Sequence, residues 1–297
     1  MEIIGDPQKL RKRLDELRVE RGSGFQPPRA ATVGLVPTMG YLHEGHLALV
    51  RAARQDNELV VLSIFVNPVQ FGPQEDYEEY PRDLKRDTNL AQEAGVDLIF
   101  APKAAQMYPE GYRTFVEVEG LSDKLCGASR PGHFRGVATV VTKLFHIVGP
   151  DRAYFGQKDG QQVLVIKRLV QDLNMRVEIV VLPTVREKDG LAVSSRNVYL
   201  GAEERQAARV IPDTLHWAEA QVRAGERDAD RLREAIRERI AAEPLARIDY
   251  VSVNDGHELE EVDRIGDRVM VAVAVWIGKT RLIDNIVLEG LSRCGES

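Results

Sequence analysis

The feature that most constrains this chain is an alternation of two periods along its first two thirds. Short apolar runs at residues 31–36, 59–66, 96–100, 153–155 and 177–182 have the length and composition of buried strands. Between most of them lie stretches of helical length at 47–55, 82–94, 137–148 and 161–173. Parallel strands cannot be joined by a tight turn and need a long crossover, which a helix supplies. The alternation therefore predicts an α/β fold, a doubly wound parallel sheet with helices on both faces. Leu10, Leu14 and Leu17 add an amphipathic first helix that ends near Gly22.

The texture changes after about residue 197. Ala/Glu/Arg-rich helices over 202–224 and 228–242 precede apolar runs at 247–253, 268–276 and 281–287, the last two separated by the turn Ile277-Gly278-Lys279-Thr280. Helices followed by strands predict a smaller α+β domain, so the 297 residues divide into 1–185 and 186–297. Hydrophobic residues at 43 % and charged residues at 29 % exclude a disordered or collagen-like chain. Residues 1–200 carry 26 basic and 26 acidic side chains, and residues 201–297 carry 14 and 20, so the whole net charge of −6 lies in the last third. An acidic surface there argues against a nucleic-acid partner. Cys126 and Cys294 are far apart and read as reduced thiols. No run of about 18 apolar residues occurs and the start lacks a basic-then-apolar segment, so a cytoplasmic chain with neither signal peptide nor membrane partner is expected.

In an open parallel sheet, ligands bind beyond the carboxyl ends of the strands, where loops converge and helices present free N–H groups. Four loops with unusual polar clusters all follow expected strands. The first, Pro37-Thr38-Met39-Gly40-Tyr41-Leu42-His43-Glu44-Gly45-His46, leads into an apolar helix. Positions three apart share a helix face, so His43 and His46 can both address phosphate oxygens at the positive end of the dipole. Gly45 leaves room for close approach. Helix capping is the alternative reading. A zinc motif His-Glu-x-x-His would need one more residue between the histidines. In the second loop, Asn67-Pro68-Val69-Gln70-Phe71-Gly72, the side-chain amides suit hydroxyls and carboxylates; a plain turn is the alternative. The third, residues 156–162, sets Lys158 beside Asp159 before a helix, where the Asp could simply be a cap. The fourth, residues 184–197, ends in Ser194-Ser195-Arg196, two hydroxyls and a guanidinium suited to a triphosphate or, alternatively, to solvent.

Three other candidate motifs carry no chemistry. Gly278-Lys279-Thr280 resembles the end of a phosphate loop, but Val273 stands where its first glycine belongs. No Gly-x-Gly-x-x-Gly follows any strand, which removes a dinucleotide-dependent dehydrogenase. The pair Cys126 and His133, in an irregular stretch at 122–135, has nothing in the sequence to orient it as a nucleophile and base.

Val36-Pro37-Thr38-Met39-Gly40, Phe65-Val66-Asn67-Pro68-Val69-Gln70-Phe71, Arg130-Pro131-Gly132-His133-Phe134-Arg135-Gly136, residues 156–162 and residues 189–197 together resemble the pantothenate synthetase family of nucleotidyltransferases with a His-x-Gly-His motif. The resemblance runs in order from near residue 30 to near residue 200. It implies a Rossmann-like catalytic domain with a smaller C-terminal lid, and ATP-dependent condensation of pantoate with β-alanine through a pantoyl-adenylate. It also implies a homodimer, and Mg²⁺ carried mainly by the ATP phosphates rather than by a protein metal site. Carried over by position, His43, His46, Lys158 and Arg196 would be catalytic. ATP would lie against Met39, Gly40, Tyr41, Leu42, His43, Glu44, Gly45, His46, Gly156, Gln157, Lys158, Asp159, Val185, Val193, Ser194, Ser195 and Arg196. Gln70, Gln162 and Asn67 would hold pantoate. The chain departs from the family pattern at Gln157, where Glu is usual, at Gly160, where an aromatic residue is common, and at Val193, where Met is frequent.

Overall fold

The computed structural model describes residues 1–22, 30–73 and 75–291. Its first part runs β1 (Glu2–Ile4), α1 (Pro7–Gly22), β2 (Val33–Thr38), α2 (Glu44–Asp56), β3 (Leu59–Ile64), α3 (Leu84–Glu93), β4 (Leu98–Phe100), α4 (Ala104–Met107), α5 (Cys126–Ser129), α6 (His133–Val148), β5 (Arg152–Gly156), α7 (Gly160–Asp172) and β6 (Glu178–Leu182). The second part runs α8 (Ala202–Ala208), α9 (Val210–Arg223), α10 (Ala229–Ala241), β7 (Ala246–Asp255), β8 (Val269–Ile277) and β9 (Thr280–Leu288).

The first six strands form one parallel sheet in the order β1-β4-β3-β2-β5-β6. Its alternating residues show why both faces are covered. Leu35, Leu59 and Val61 pack with Leu10, Leu14, Leu17 and helix α6 on one side. Val36, Val60 and Leu62 pack with Val50, Ala53 and Ala91 of α2 and α3 on the other. Strand order reverses between β2 and β5, which are neighbours although far apart in sequence. At such a reversal the loops leave in opposite directions and open a crevice at the carboxyl end of the sheet.

The last three strands form an antiparallel sheet, β7-β8-β9. Strand β8 is apolar on both faces. Val271, Val273 and Val275 pack among Leu215, Ile236 and Ile240 of α9 and α10, while Met270 and Ala272 pack into the core of the first sheet. The expected doubly wound sheet and smaller α+β unit are both present.

The structure departs from the sequence expectation in several places: α4 and α5 were not expected, α6 starts at His133 inside the stretch read as irregular, and strand β1 and the helix over 202–224 also differ. Strand β1 was not expected: it has three residues and no alternation to signal it, and it exists because Glu2, Ile3 and Ile4 pair with β4. The helix expected over 202–224 breaks at Arg209. Pro212 has no N–H for the carbonyl of Ala208 and its ring crowds that carbonyl, so α8 stops and α9 begins afresh. Cys126 is a buried free thiol, and Cys294 lies outside the described residues. Among the described residues no helix is long and apolar enough to cross a membrane.

Candidate active site

A cavity of about 1680 Å³ opens at the strand-order reversal and extends under the second sheet. Its wall includes Met39, His43, Gly45 and His46 from the β2–α2 loop, and Asn67 and Gln70 after β3. Gly156, Lys158, Asp159 and Gln162 come from the β5–α7 turn, and Val185, Val193, Ser194, Ser195 and Arg196 from the loop after β6. All four loops singled out in the sequence therefore meet in one place. Gly40, Tyr41, Leu42, Glu44 and Gln157 lie outside its lining: Leu42 is core, and Glu44 is paired with Arg51 on the surface.

The β2–α2 loop is held from below. Thr38 Oγ1 donates to the carbonyl of Ser63 at 2.7 Å and accepts from the Gly40 N–H at 3.1 Å. Gly40 and Tyr41 turn the chain with φ of 90° and 50°. The carboxylate of Asp87, 1 % exposed on α3, accepts the Tyr41 and Leu42 N–H groups, each at 2.7 Å. A buried carboxylate with two charge-assisted hydrogen bonds is a strong clamp, and it fixes the residues immediately before His43. His43 then sits at the N-cap of α2 without making a side-chain cap, so capping does not account for it.

The His43 and His46 rings stack with centroids 3.9 Å apart and planes 16° apart. Both Nδ1 atoms are buried and have no hydrogen-bond partner among the described residues. Burial and the Lys158 ammonium lower His43 to about 4, and burial, His43 and Lys158 hold His46 well below the usual imidazole range. Burial first, with the neighbouring Lys158 ammonium adding to it, favours the neutral form of both rings.

Arg196 forms a two-pronged pair with Asp76, at 3.1 and 2.9 Å, and Ser195 Oγ lies 3.5 Å from the Tyr80 hydroxyl. Among the described residues Lys158 Nζ has only Asp159 Oδ1, at 3.5 Å. Asn67 donates to Gln70 Oε1 at 3.0 Å and to the Gly136 carbonyl at 3.2 Å, and it accepts from the Tyr108 hydroxyl at 2.8 Å.

The stretch from Arg130 to Gly136 buttresses this second loop. His133 Nδ1–H donates to the Gln70 carbonyl at 2.9 Å, while Arg130 Nη1 donates to His133 Nε2 at 3.1 Å. Arg130 also grips both oxygens of Glu75, one of them at 2.8 Å. Burial and Arg130 lower His133 to about 4, so it stays neutral with its proton on Nδ1. Gly136 lets α6 approach the turn: a Cβ there would lie 2.6 Å from Gln70 Cα and from the Val69 carbonyl oxygen. The Cys126 and His133 pair considered above does not form. Cys126 Sγ faces the Tyr250 hydroxyl at 3.2 Å.

The family model described as pantoate-beta-alanine ligase matches residues 2–287. The chain belongs to the pantoate-β-alanine ligase family. Among the ligase's curated relatives, the pantothenate synthetase of Moorella thermoacetica is 61 % identical over 261 residues, covering 88 % of this chain and 92 % of the relative. That of Thermotoga petrophila is 54 % identical over 288 residues, 97 % of this chain and 100 % of the relative. A crystal structure of pantothenate synthetase from Thermus thermophilus superposes with a TM-score of 0.88 at 48 % identity, covering 96 % of this chain and 99 % of that one. The pantoate-β-alanine ligase of Francisella tularensis, crystallised with a β,γ-ATP compound and β-alanine, gives 0.75 at 33 % identity with 97 % coverage of both chains. This ligase is therefore an enzyme with a solved family fold.

Asp87, Asp76, Tyr80 and Asn285 are site-supporting residues that the sequence did not single out. No spacing signals them, because each reaches its partner only in the folded chain. Gln157 and Gly160, two of the departures from the family pattern, both abut Asn285.

Proposed function

We propose that this chain joins pantoate to β-alanine with ATP, releasing pantothenate, AMP and pyrophosphate. A free carboxylate resists attack by an amine because its leaving group would be oxide. The carboxylate oxygen of pantoate therefore attacks the α-phosphorus of ATP and pyrophosphate leaves. The β-alanine amine then attacks the acyl carbon and AMP leaves. In-line transfer at phosphorus needs alignment and charge neutralisation more than a covalent nucleophile.

The observation that carries this reading is the convergence of two kinds of group on one cavity. His43, His46, Lys158, Ser194, Ser195 and Arg196 supply N–H, ammonium, hydroxyl and guanidinium donors suited to a triphosphate. Asn67, Gln70 and Gln162 supply uncharged amides suited to a hydroxy acid. Met39, Val185 and Val193 would flank the adenosine, and Gly156 and Asp159 the ribose. Neutral His43 and His46 would donate N–H bonds to phosphate oxygens, and the arriving negative charge would raise the affinity of His46 for a proton that it can hand to pyrophosphate. Lys158 would neutralise the developing charge, and Arg196 would exchange Asp76 for phosphate.

Mg²⁺ would enter on the ATP phosphates, with Asp159 a hard carboxylate beside Lys158 on the wall; among the described residues no group of three or more possible metal ligands forms. When bound, the ion withdraws charge from the leaving pyrophosphate.

Residues 1–185 would form the catalytic unit and 186–297 a lid. Arg186 is pinned to Asp284 of β9, which supports a loop that moves with the second sheet. A homodimer fits the edge strand β6, whose Ile179, Val180, Val181 and Leu182 are only half-buried. A cytoplasmic setting fits a free buried Cys126. The test is incubation with ATP, Mg²⁺ and pantoate, with and without β-alanine. Pyrophosphate release should require pantoate, and AMP release with pantothenate should require β-alanine; no pantoate-dependent product would overturn the reading.

A further inference from the structure

Strand β9 reaches from the second sheet to the phosphate end of the cavity with two adjacent side chains. Asp284 takes Arg186 at 2.6 and 3.2 Å. Asn285, 5 % exposed, turns the other way, onto the short helical turn Gln157–Asp159 that carries Lys158. Its Nδ2 donates to the carbonyl of Gln157 at 3.0 Å and to that of Lys158 at 2.8 Å. Its Oδ1 accepts from Gln157 Nε2 at 2.9 Å. Both amide hydrogens and the amide oxygen of Asn285 are thus spent on this one turn.

Gly160 supplies an independent mark of the same contact. It opens α7 with φ −55° and ψ −42°, ordinary helical values that any residue adopts. Glycine in a helix costs about 1 kcal/mol relative to alanine. Backbone conformation therefore does not explain it. Space does: a Cβ on Gly160 would lie 2.9 Å from Asn285 Oδ1 and 3.0 Å from Gln157 Nε2, inside normal contact and against the two atoms that bond each other.

We propose that Asn285 is a positioning residue for Lys158. Through the carbonyls of Gln157 and Lys158 it fixes the turn that presents the ammonium to the cavity, with Gln157 completing the amide's bonding and Gly160 leaving the room it needs. The second sheet thereby sets the place of a charge that belongs to the first. The inference rests on the reading of Lys158 as a phosphate-binding group.

The test measures kcat and KM for ATP, and the thermal midpoint, in Asn285→Asp, Asn285→Ala, Gly160→Ala and Lys158→Met, and in the double variant Lys158→Met/Asn285→Ala. Asn285→Asp keeps the shape but turns a carboxylate oxygen toward two carbonyls. Each Asn285 variant should lose about tenfold or more in kcat/KM for ATP, as expected for a displaced charge. Gly160→Ala should lose in the same parameter, and it reads the contact from the turn side where an Asn285 variant fails to fold. In the Lys158→Met background, Asn285→Ala should cost less than about twofold further, because residues acting through one group do not add. Folded Asn285 variants with parental kcat/KM, or losses that multiply in the double variant, overturn the inference. A parental Lys158→Met overturns the phosphate role of Lys158 and the inference with it; a defective Lys158→Met beside parental Asn285 variants overturns the inference alone.

Discussion

Gly136→Ala tests how the second loop is placed. A Cβ on Gly136 would stand 2.6 Å from Gln70 Cα and the Val69 oxygen and 2.7 Å from Gln70 N, all backbone atoms. Ordinary contact begins near 3.5 Å, so α6 and the turn must separate by roughly 1 Å. Overpacking of that kind costs about 1–3 kcal/mol. The Asn67 bond to the Gly136 carbonyl, already 3.2 Å, would lengthen and cost about 1 kcal/mol more. At about 2–4 °C per kcal/mol, the midpoint of unfolding should fall by about 4–16 °C. A shift of about 1 Å at Gln70 should lower kcat/KM for pantoate by about a hundredfold, since misplacement of a bound reactant is amplified in the rate. ATP binding without pantoate should be nearly unchanged. Calorimetric titration with ATP, steady-state pyrophosphate release and thermal unfolding together decide it. Parental stability with parental pantoate kinetics would refute the packing argument, and an equal loss in ATP affinity would refute the assignment of Gln70 to pantoate.

Three further outcomes are expected. His46→Ala should keep the parental fold by circular dichroism and lose pantoate-dependent pyrophosphate release; unchanged turnover contradicts its role. Asp76→Asn should bind ATP up to about fivefold more tightly by calorimetry, because it frees Arg196 from a partly exposed ion pair worth at most about 1 kcal/mol; weaker binding would mean that Asp76 serves ATP rather than competes with it. The wild-type protein should lose stability as pH falls from about 6.5 toward 4. His43 and His133 are held near 4 when folded and return to about 6.5 when unfolded, so their contribution is present above about 6.5 and is lost as pH falls toward 4. His133→Asn, which keeps a donor toward the Gln70 carbonyl, should flatten that slope in urea unfolding; an unaltered slope contradicts the assignment.

The sheet and the crevice were readable in sequence because both follow from periodicity and from where loops lie relative to parallel strands. His43, His46, Lys158 and Arg196 were readable because loops leave few reasons for such side chains in clusters. Their supports were not. Asp87 meets Tyr41 and Leu42 from a later helix, Asp76 meets Arg196 across 120 positions, and Asn285 meets Lys158 across 127. Nothing local distinguishes an aspartate destined to clamp two N–H groups from one that caps a helix, as Asp83 does. The break at Arg209 was local in origin, since Pro212 sits within the apolar pattern, but periodicity alone runs through it.

Transfer of an oxygen label shows directly whether pantoate is activated as an adenylate. With pantoate carrying ¹⁸O in both carboxylate positions, attack on the α-phosphorus places one labelled oxygen in AMP and leaves the other in the amide carbonyl of pantothenate. Mass spectrometry should find AMP carrying a single ¹⁸O and pyrophosphate carrying none. Unlabelled AMP, or label in inorganic phosphate, would contradict the account.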